Sequence, residues 1–135
     1  TQGVSSAASD VYKRQDEDLV LGGVSAGASC WFQGCVTDAF GPIRAWRGGL
    51  GLLDGSFCPH FDRKENRAEV YAQAVASGVL PAGYAVDDGA AVRFTDGEFA
   101  EVVAEREEAT VGRIATTQEP ASSGIYREEL APRLL

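Results

Sequence analysis

Apolar positions along the chain fall into short runs and one amphipathic stretch. Residues 18–24 form a brief apolar run closed by glycines, which is typical of a buried parallel strand. Residues 26–35 follow with the pattern of a compact helix that ends near a glycine. Residues 63–77 carry apolar side chains at a helical period, and they predict the clearest helix of the chain, with Gly78 as its stop.

Short strand patterns dominate the second half of the chain. Asp96 and Gly97 lie between two alternating apolar runs, which is a strong signal for a β-hairpin. Residues 44–51 are rich in glycine and predict an irregular segment. We expect strands at residues 56–58, 84–86, 90–94, 98–103 and 111–117. Strands that alternate with helices and are followed by a hairpin predict an α/β fold with a parallel sheet.

Both ends of the chain lack a periodic pattern. Residues 1–17 are mostly small and polar, and the sequence holds no methionine. We expect a disordered tail there that is foreign to the domain and precedes a truncated coding sequence. Residues 118–135 mix proline, serine and charge, and we expect a loosely attached segment. The folded domain is therefore predicted to span residues 18–117.

Composition narrows the classes of function. The chain has 135 residues, enough for one domain with its own core. Its 12 Lys and Arg against 20 Asp and Glu give a net charge of −8 at pH 7, which disfavours binding to nucleic acid or to an anionic membrane. Three cysteines are an odd number, which fits a reducing cytoplasm better than a disulfide framework. We expect a cytoplasmic protein; a homodimer is left open.

One motif predicts a nucleophile. Residues 23–27 read Gly-Val-Ser-Ala-Gly between a predicted strand and a predicted helix. In such a sharp turn the glycines avoid steric clashes, and the serine is held in a strained conformation with its hydroxyl exposed. The helix that follows offers backbone N–H groups to an oxyanion. Ser25 is therefore the candidate nucleophile, and the structural alternative is a small-residue turn where a helix packs closely on a strand.

A general base for Ser25 has to come from His60, because the chain has a single histidine. His60 follows a predicted strand, so it belongs to the edge of the sheet where sites of α/β proteins assemble. We expect its ring to lie within hydrogen-bonding reach of Ser25. The sequence pattern leaves the acid that orients the histidine open, and the candidates are Asp38, Asp62, Asp87 and Asp88.

Several motifs together resemble a known family. They occur in one order along the chain: GVSAGASCWF at residues 23–32, TDAFGP at 37–42, GLGLL at 49–53, PHFD at 59–62 and GYAVDDG at 83–89. The chain is similar to the aspartyl dipeptidases of the peptidase E family, relatives of cyanophycinase. The resemblance covers about residues 19–103. It implies a flavodoxin-like fold of the class I glutamine-amidotransferase type, a doubly wound sheet that would here be incomplete at its N-terminal side and end in a C-terminal hairpin.

The resemblance also implies a reaction and roles for particular residues. It implies a serine peptidase without a cofactor that releases N-terminal aspartate from dipeptides. Ser25 would be the nucleophile, His60 the base and Asp38 the acid, with Asp62 as second choice. The backbone N–H of Ala26 would be one oxyanion donor.

A basic cluster lies where the family binds the carboxylate of its substrate. It comprises Arg63, Lys64 and Arg67 on a chain that is acidic overall. Arg67 is the preferred ligand, since bidentate recognition of a carboxylate favours arginine over lysine. The alternative without a binding role is that these residues form a solvent-exposed face of the helix at residues 63–77.

Other classes of function remain as alternatives. Family members run several strands ahead of the nucleophile, whereas one predicted strand precedes Ser25 here, so an inactive fragment or a binding module of the same fold is the main rival. A cyanophycinase-like acyl hydrolase is a further option. A zinc site built from His60 with Cys30, Cys35 and Cys58 is disfavoured, because two of the cysteines would lie about 140° apart on one predicted helix.

Overall fold

The computed structural model describes residues 19–63, 66–117 and 124–135. Within these ranges the chain forms two helices and nine strands. In chain order they are α1 (Ala26–Ser29), β1 (Gly34–Thr37), β2 (Arg44–Trp46), β3 (Ser56–Cys58), α2 (Arg67–Ala76), β4 (Gly83–Val86), β5 (Ala90–Thr95), β6 (Glu98–Ala104), β7 (Val111–Thr116), β8 (Ile125–Leu130) and β9 (Pro132–Leu134). The tail expected at residues 1–17 lies outside the described residues.

The main sheet is mixed, with a parallel centre. Its six strands follow the order β2-β1-β3-β4-β7-β8. β3 pairs in parallel with both β1 and β4, whereas β2, β7 and β8 each run antiparallel to their neighbours. Because β3 and β4 are parallel neighbours, the loops that follow them leave the same edge of the sheet. The predicted α/β class is confirmed.

Each face of this sheet is covered by a different layer. Successive side chains of a strand point to opposite faces, so Phe57 and the adjacent Cys58 on β3 belong to different cores. The layer on the Cys58 side is α2, whose Tyr71 and Val75 are buried. On the Phe57 side lie the aromatic ring of Phe32, stacked at 4.9 Å between ring centroids, and the hairpin of β5 and β6.

Two predicted elements are confirmed with their end signals. α2 ends before Gly78, whose φ of 80° is the left-handed conformation expected of a helix-stopping glycine. The hairpin of β5 and β6 turns at Asp96 and Gly97, with φ of 52° and 81°. Two consecutive positive φ values are those of the type I′ turn that matches the twist of paired strands.

The region around the nucleophile differs from its prediction. Residues 19–24 form no strand and are exposed, because no strand among the described residues pairs with them. The predicted helix at residues 26–35 is four residues long, and Gly34–Thr37 is the strand β1 instead. Gly34 has no room for a side chain, since a Cβ there would lie 2.9 Å from the Trp46 carbonyl oxygen on β2. Close strand pairing therefore overrides the local helical pattern.

The C-terminal segment is integrated rather than loosely attached. β8 pairs with β7 in the main sheet, and β9 pairs with β6 in the small sheet of order β5-β6-β9. Pairing with two different sheets holds this segment in place, although its local composition predicted loose attachment.

No helix in the described part of the chain is long and apolar enough to cross a membrane.

Candidate active site

Ser25 occupies a strained turn at the start of α1. Its φ of 56° and ψ of −119° lie outside the regions that side-chain-bearing residues normally adopt. Gly23 makes this turn feasible, because a Cβ at that position would lie 2.0 Å from the backbone oxygen of Gly27. The expected nucleophile turn therefore forms here, although no regular strand leads into it.

His60 reaches Ser25 from the loop that follows β3. The Oγ of Ser25 and the Nε2 of His60 are 2.8 Å apart, within hydrogen-bonding reach as expected. The backbone of His60 has a φ of 54°. The next residue, Phe61, donates its N–H to the carbonyl of Val86 at 3.0 Å, which ties this loop to the end of β4.

Asp88 is the acid that contacts the histidine. Its Oδ1 accepts a hydrogen bond from the Nδ1 of His60, and its Oδ2 accepts one from the Nε of Arg63 at 3.0 Å. The hydrogen bond to His60 is the largest cause and lowers the pKa of Asp88. Burial opposes it, and the hydrogen bond from Arg63 lowers the pKa further. Asp88 is therefore a carboxylate at neutral pH, and a continuous chain of hydrogen bonds runs from it to the hydroxyl of Ser25.

The other candidate acids have different partners. Asp38, to which the resemblance assigned the acid's role, accepts a hydrogen bond from the Nη2 of Arg67 at 3.3 Å. Asp62 accepts the backbone N–H of Asp88 at 3.0 Å. Asp87 accepts both the N–H and the hydroxyl of Thr110, at 2.9 and 2.8 Å. The placement of Asp38 corrects the sequence-based assignment: it lies in the loop after β1, two strands from β4, and pairs with α2.

Sequence reasoning kept Asp88 only as one of four acids, although a signal for it existed. Asp88 follows β4, and His60 follows β3. Once β3 and β4 are recognised as parallel neighbours, their following loops must meet at one edge. The order of strands in the sheet, which a single sequence does not reveal, brings the loop after β4 to His60, and within that loop the Asp88 side chain contacts the ring.

The reactive side chains open into one cleft of about 310 Å³. Ser25, Ala26 and His60 line it together with both arginines of the basic cluster that the structure describes, Arg63 and Arg67. The Arg67 side chain is only 4% exposed, against 62% for its partner Asp38. Arg67 is thus a buried cation at the wall of the cleft, while the position of Lys64 lies outside the described residues.

The cysteines near this cleft lie on different elements. Cys35 and Cys58 are buried on adjacent strands, and burial raises the pKa of the Cys58 thiol to about 12. No group of three or more His, Cys, Asp or Glu side chains within residues 19–63, 66–117 and 124–135 is placed to hold a metal ion. The predicted helix shared by Cys30 and Cys35 does not form, because Cys35 belongs to β1 and Cys30 follows α1.

Comparison with known proteins gives two matches. The model of peptidase family S51 matches residues 5–102. Over 96 residues the chain is 43% identical to a protein of Bacillus subtilis (strain 168) described as the uncharacterized peptidase YgaJ. That alignment covers 71% of this chain and 41% of the relative, so the chain spans less than half of the length of the relative.

Proposed function

Because this chain belongs to peptidase family S51, the peptidase E family that its motifs resemble, we propose that it hydrolyses dipeptides with an N-terminal aspartate through Ser25, His60 and Asp88. The observation that carries the proposal is the hydrogen-bonded chain from the Asp88 carboxylate through the His60 ring to the Ser25 hydroxyl. A nucleophile, a base and an orienting acid in this relation are the parts that acyl transfer needs.

The reaction follows from the positions of these atoms. The Nε2 of His60 takes the proton from the Ser25 hydroxyl as Oγ attacks the carbonyl carbon of the peptide bond. The backbone N–H of Ala26, directly after the nucleophile, donates to the oxyanion that forms. His60 then gives its proton to the departing amine, and the C–N bond breaks. Water, deprotonated by His60, releases aspartate from Ser25 in the second half of the reaction.

Asp88 and Asp62 support this chemistry without touching the substrate. The Asp88 carboxylate fixes the ring of His60 with Nε2 facing Ser25, and it stabilises the imidazolium that forms when the proton is taken. The Asp62 carboxylate holds the backbone of Asp88 in place through its N–H. The loops after β3 and β4 are thereby joined at the site.

The charges that line the cleft support the proposal of an acidic substrate. Arg67 and Arg63 both line it, in a chain whose net charge is −8. One guanidinium group has five N–H donors, so Arg67 can bond to Asp38 and also to a substrate carboxylate. An aspartyl side chain near this buried cation is favoured over the neutral amide of asparagine.

A serine-reactive fluorophosphonate tests the nucleophile. We expect labelling of Ser25 in the folded chain, loss of labelling in Ser25→Ala, and strong reduction in His60→Gln. Asp96→Asn is the matched control, because this exposed hairpin residue does not line the cleft and asparagine also tolerates its positive φ. Folded protein that shows no labelling would support a binding module with a degenerate site instead.

Kinetics with Asp-Leu and Asn-Leu test the substrate. We expect Arg67→Ala to remove most of the preference for Asp-Leu, a loss of roughly 2–4 kcal/mol in transition-state binding or about 30- to 1000-fold in kcat/KM. Because Arg67 is buried, its replacement can also impair folding. Circular dichroism of Arg67→Ala and comparison with Arg67→Lys separate loss of substrate recognition from loss of folding. Equal proportional losses on both substrates would show that Arg67 has a structural role only, and cleavage of isoaspartyl polymers would favour the cyanophycinase-like alternative.

A further inference from the structure

Two exposed aromatic side chains line the cleft that holds Ser25 and His60. The side chains of Phe40 and Trp46 are lining residues of this cleft, and their ring centroids are 5.8 Å apart at an angle of 50°. Phe40 is 58% exposed and Trp46 is 37% exposed. We call these two rings the aromatic wall. The assigned catalytic chemistry does not use it.

The aromatic wall is held in position by its neighbours. Trp46 ends the edge strand β2, where it pairs with Cys35 of β1. Its indole lies so close to Gly48 that a Cβ there would be 2.2 Å from the ring. On the other side, the guanidinium of Arg44 lies 4.9 Å from the centroid of the Phe40 ring. The rings therefore form a preorganised surface, and a ligand would not have to order them.

We propose that the aromatic wall is the subsite for the leaving residue of the dipeptide, and that it selects a large apolar side chain there. A dipeptide that begins with aspartate has two side chains, of which one is a carboxylate. The face of an aromatic ring carries partial negative charge and disfavours a carboxylate. The carboxylate can instead bind to Arg67 and Arg63, which line the same cleft. The apolar surface is thus matched to the other side chain. This inference rests on the proposed function and narrows its substrate class.

Binding to an inactive variant tests the subsite without turnover. In Ser25→Ala, isothermal titration with Asp-Phe, Asp-Leu and Asp-Gly should show that the two apolar dipeptides bind about 10-fold more tightly than Asp-Gly. Adding Phe40→Ala and Trp46→Ala should bring the three affinities together by weakening Asp-Phe and Asp-Leu. Val79→Ala is the matched control, because Val79 is an apolar residue that is 45% exposed and does not line the cleft. It should keep the 10-fold preference.

Fluorescence locates the bound side chain. Trp31 and Trp46 are the only tryptophans of the chain. The indole N–H of Trp31 is buried with no hydrogen-bond partner among the described residues, so Trp31→Phe loses no hydrogen bond and leaves Trp46 as the sole reporter. We expect Asp-Phe to shift the Trp46 emission to shorter wavelength and Asp-Gly to leave it nearly unchanged.

The outcomes separate this inference from the proposed function. If Ser25 reacts with the fluorophosphonate but the three dipeptides bind equally, or bind with a preference that survives loss of both rings, the subsite is overturned and the serine chemistry stands. If Ser25 does not react but the wall-dependent preference is found, the aromatic wall binds the second side chain of the dipeptide and the peptidase proposal fails. Absence of dipeptide binding by the folded Ser25→Ala protein overturns the subsite.

Discussion

At the scale of single residues, the two glycines of the nucleophile motif have different surroundings. A Cβ on Gly23 would collide with the backbone of Gly27, whereas a Cβ on Gly27 would meet none of the described atoms within 4 Å. Gly27 also lies within the short helix α1 and does not have a positive φ. The motif therefore contains one glycine that the turn requires and one that the turn tolerates.

Alanine substitutions should separate these two glycines. We expect Gly23→Ala to abolish fluorophosphonate labelling of Ser25, because the turn must open to admit the methyl group. Gly27→Ala should keep the labelling and raise stability by up to about 1 kcal/mol through its better helix propensity. Labelling rates and urea unfolding of both variants measure this, and normal labelling of Gly23→Ala would contradict the described geometry.

The identity of the orienting acid is a second prediction at this scale. We expect Asp88→Asn to lower kcat by a factor on the order of 10³–10⁴, since the amide cannot stabilise the imidazolium and favours the wrong ring tautomer. The chain has a single histidine, so the proton on Nδ1 of His60 can be assigned directly by NMR. It should give a slowly exchanging downfield signal that disappears in Asp88→Asn.

Asp38→Asn provides the contrast. It should keep the His60 signal and instead lower the free energy of unfolding by about 1–3 kcal/mol, because the buried Arg67 loses the carboxylate of Asp38. Loss of the His60 signal in Asp38→Asn with its retention in Asp88→Asn would reverse the assignment of the acid.

At the scale of elements, ion pairs reinforce the attachment of the C-terminal strand. Glu101 on β6 accepts hydrogen bonds from Arg133 on β9 at 2.9 Å and from Arg93 on β5 at 3.1 Å. These contacts, Arg133 first, lower the pKa of Glu101 from an ordinary 4.5 to about 2. One carboxylate thus links all three strands of the small sheet.

This link should be visible in the dependence of stability on pH. A carboxyl group whose pKa is lower in the folded protein stabilises it fully above the unfolded pKa, and this contribution is lost as the pH falls toward the folded pKa. We expect the difference in urea midpoint between the wild type and Glu101→Gln to be constant above pH 4.5 and to vanish toward pH 2. Glu98→Gln on the same strand is the control and should not reproduce this profile.

At the scale of the whole molecule, a buried hydrogen-bonded contact joins the helical layer to the main sheet. The hydroxyl of Tyr71 on α2 lies 2.7 Å from the hydroxyl of Ser56 on β3, which donates to the carbonyl of Pro81 at 2.6 Å. Both side chains are fully buried, and burial raises the pKa of Tyr71 well above its usual range. The contact fixes the position of α2, and therefore of Arg67 at its start, over the strand that leads to His60.

Removal of one hydroxyl measures this contact. We expect Tyr71→Phe to lower the free energy of unfolding by about 1 kcal/mol, because Ser56 loses one buried partner and keeps the other. Tyr126→Phe, at a tyrosine that is 51% exposed, should stay within about 0.5 kcal/mol of the wild type. Urea unfolding measures both, and equal effects of the two changes would contradict the role assigned to Tyr71.

Signals that act within a few residues were sufficient to predict several elements. The Asp96–Gly97 turn and the stop at Gly78 both depend on local backbone preferences, and the structure has each of them. Residues 19–24 have the composition of a strand, but a strand forms only when another strand pairs with it. The helix predicted at residues 26–35 was wrong at its C-terminal end, where pairing of β1 with β2 and β3 makes Gly34–Thr37 a strand.

For the candidate site, the sequence by itself determined the residue types that can act. A glycine-flanked Ser25 and a single His60 left one pair for nucleophile and base, since no other histidine exists in the chain. Tertiary structure decided which of four aspartates contacts that histidine. The order of β3 and β4 brings the loop after β4 to this edge, and the conformation of that loop turns Asp88 rather than its neighbour toward the ring. It also placed Phe40 and Trp46 on the same cleft. Contacts between residues far apart in the chain arise from how strands pair and layers pack, and a local pattern of side chains does not specify them.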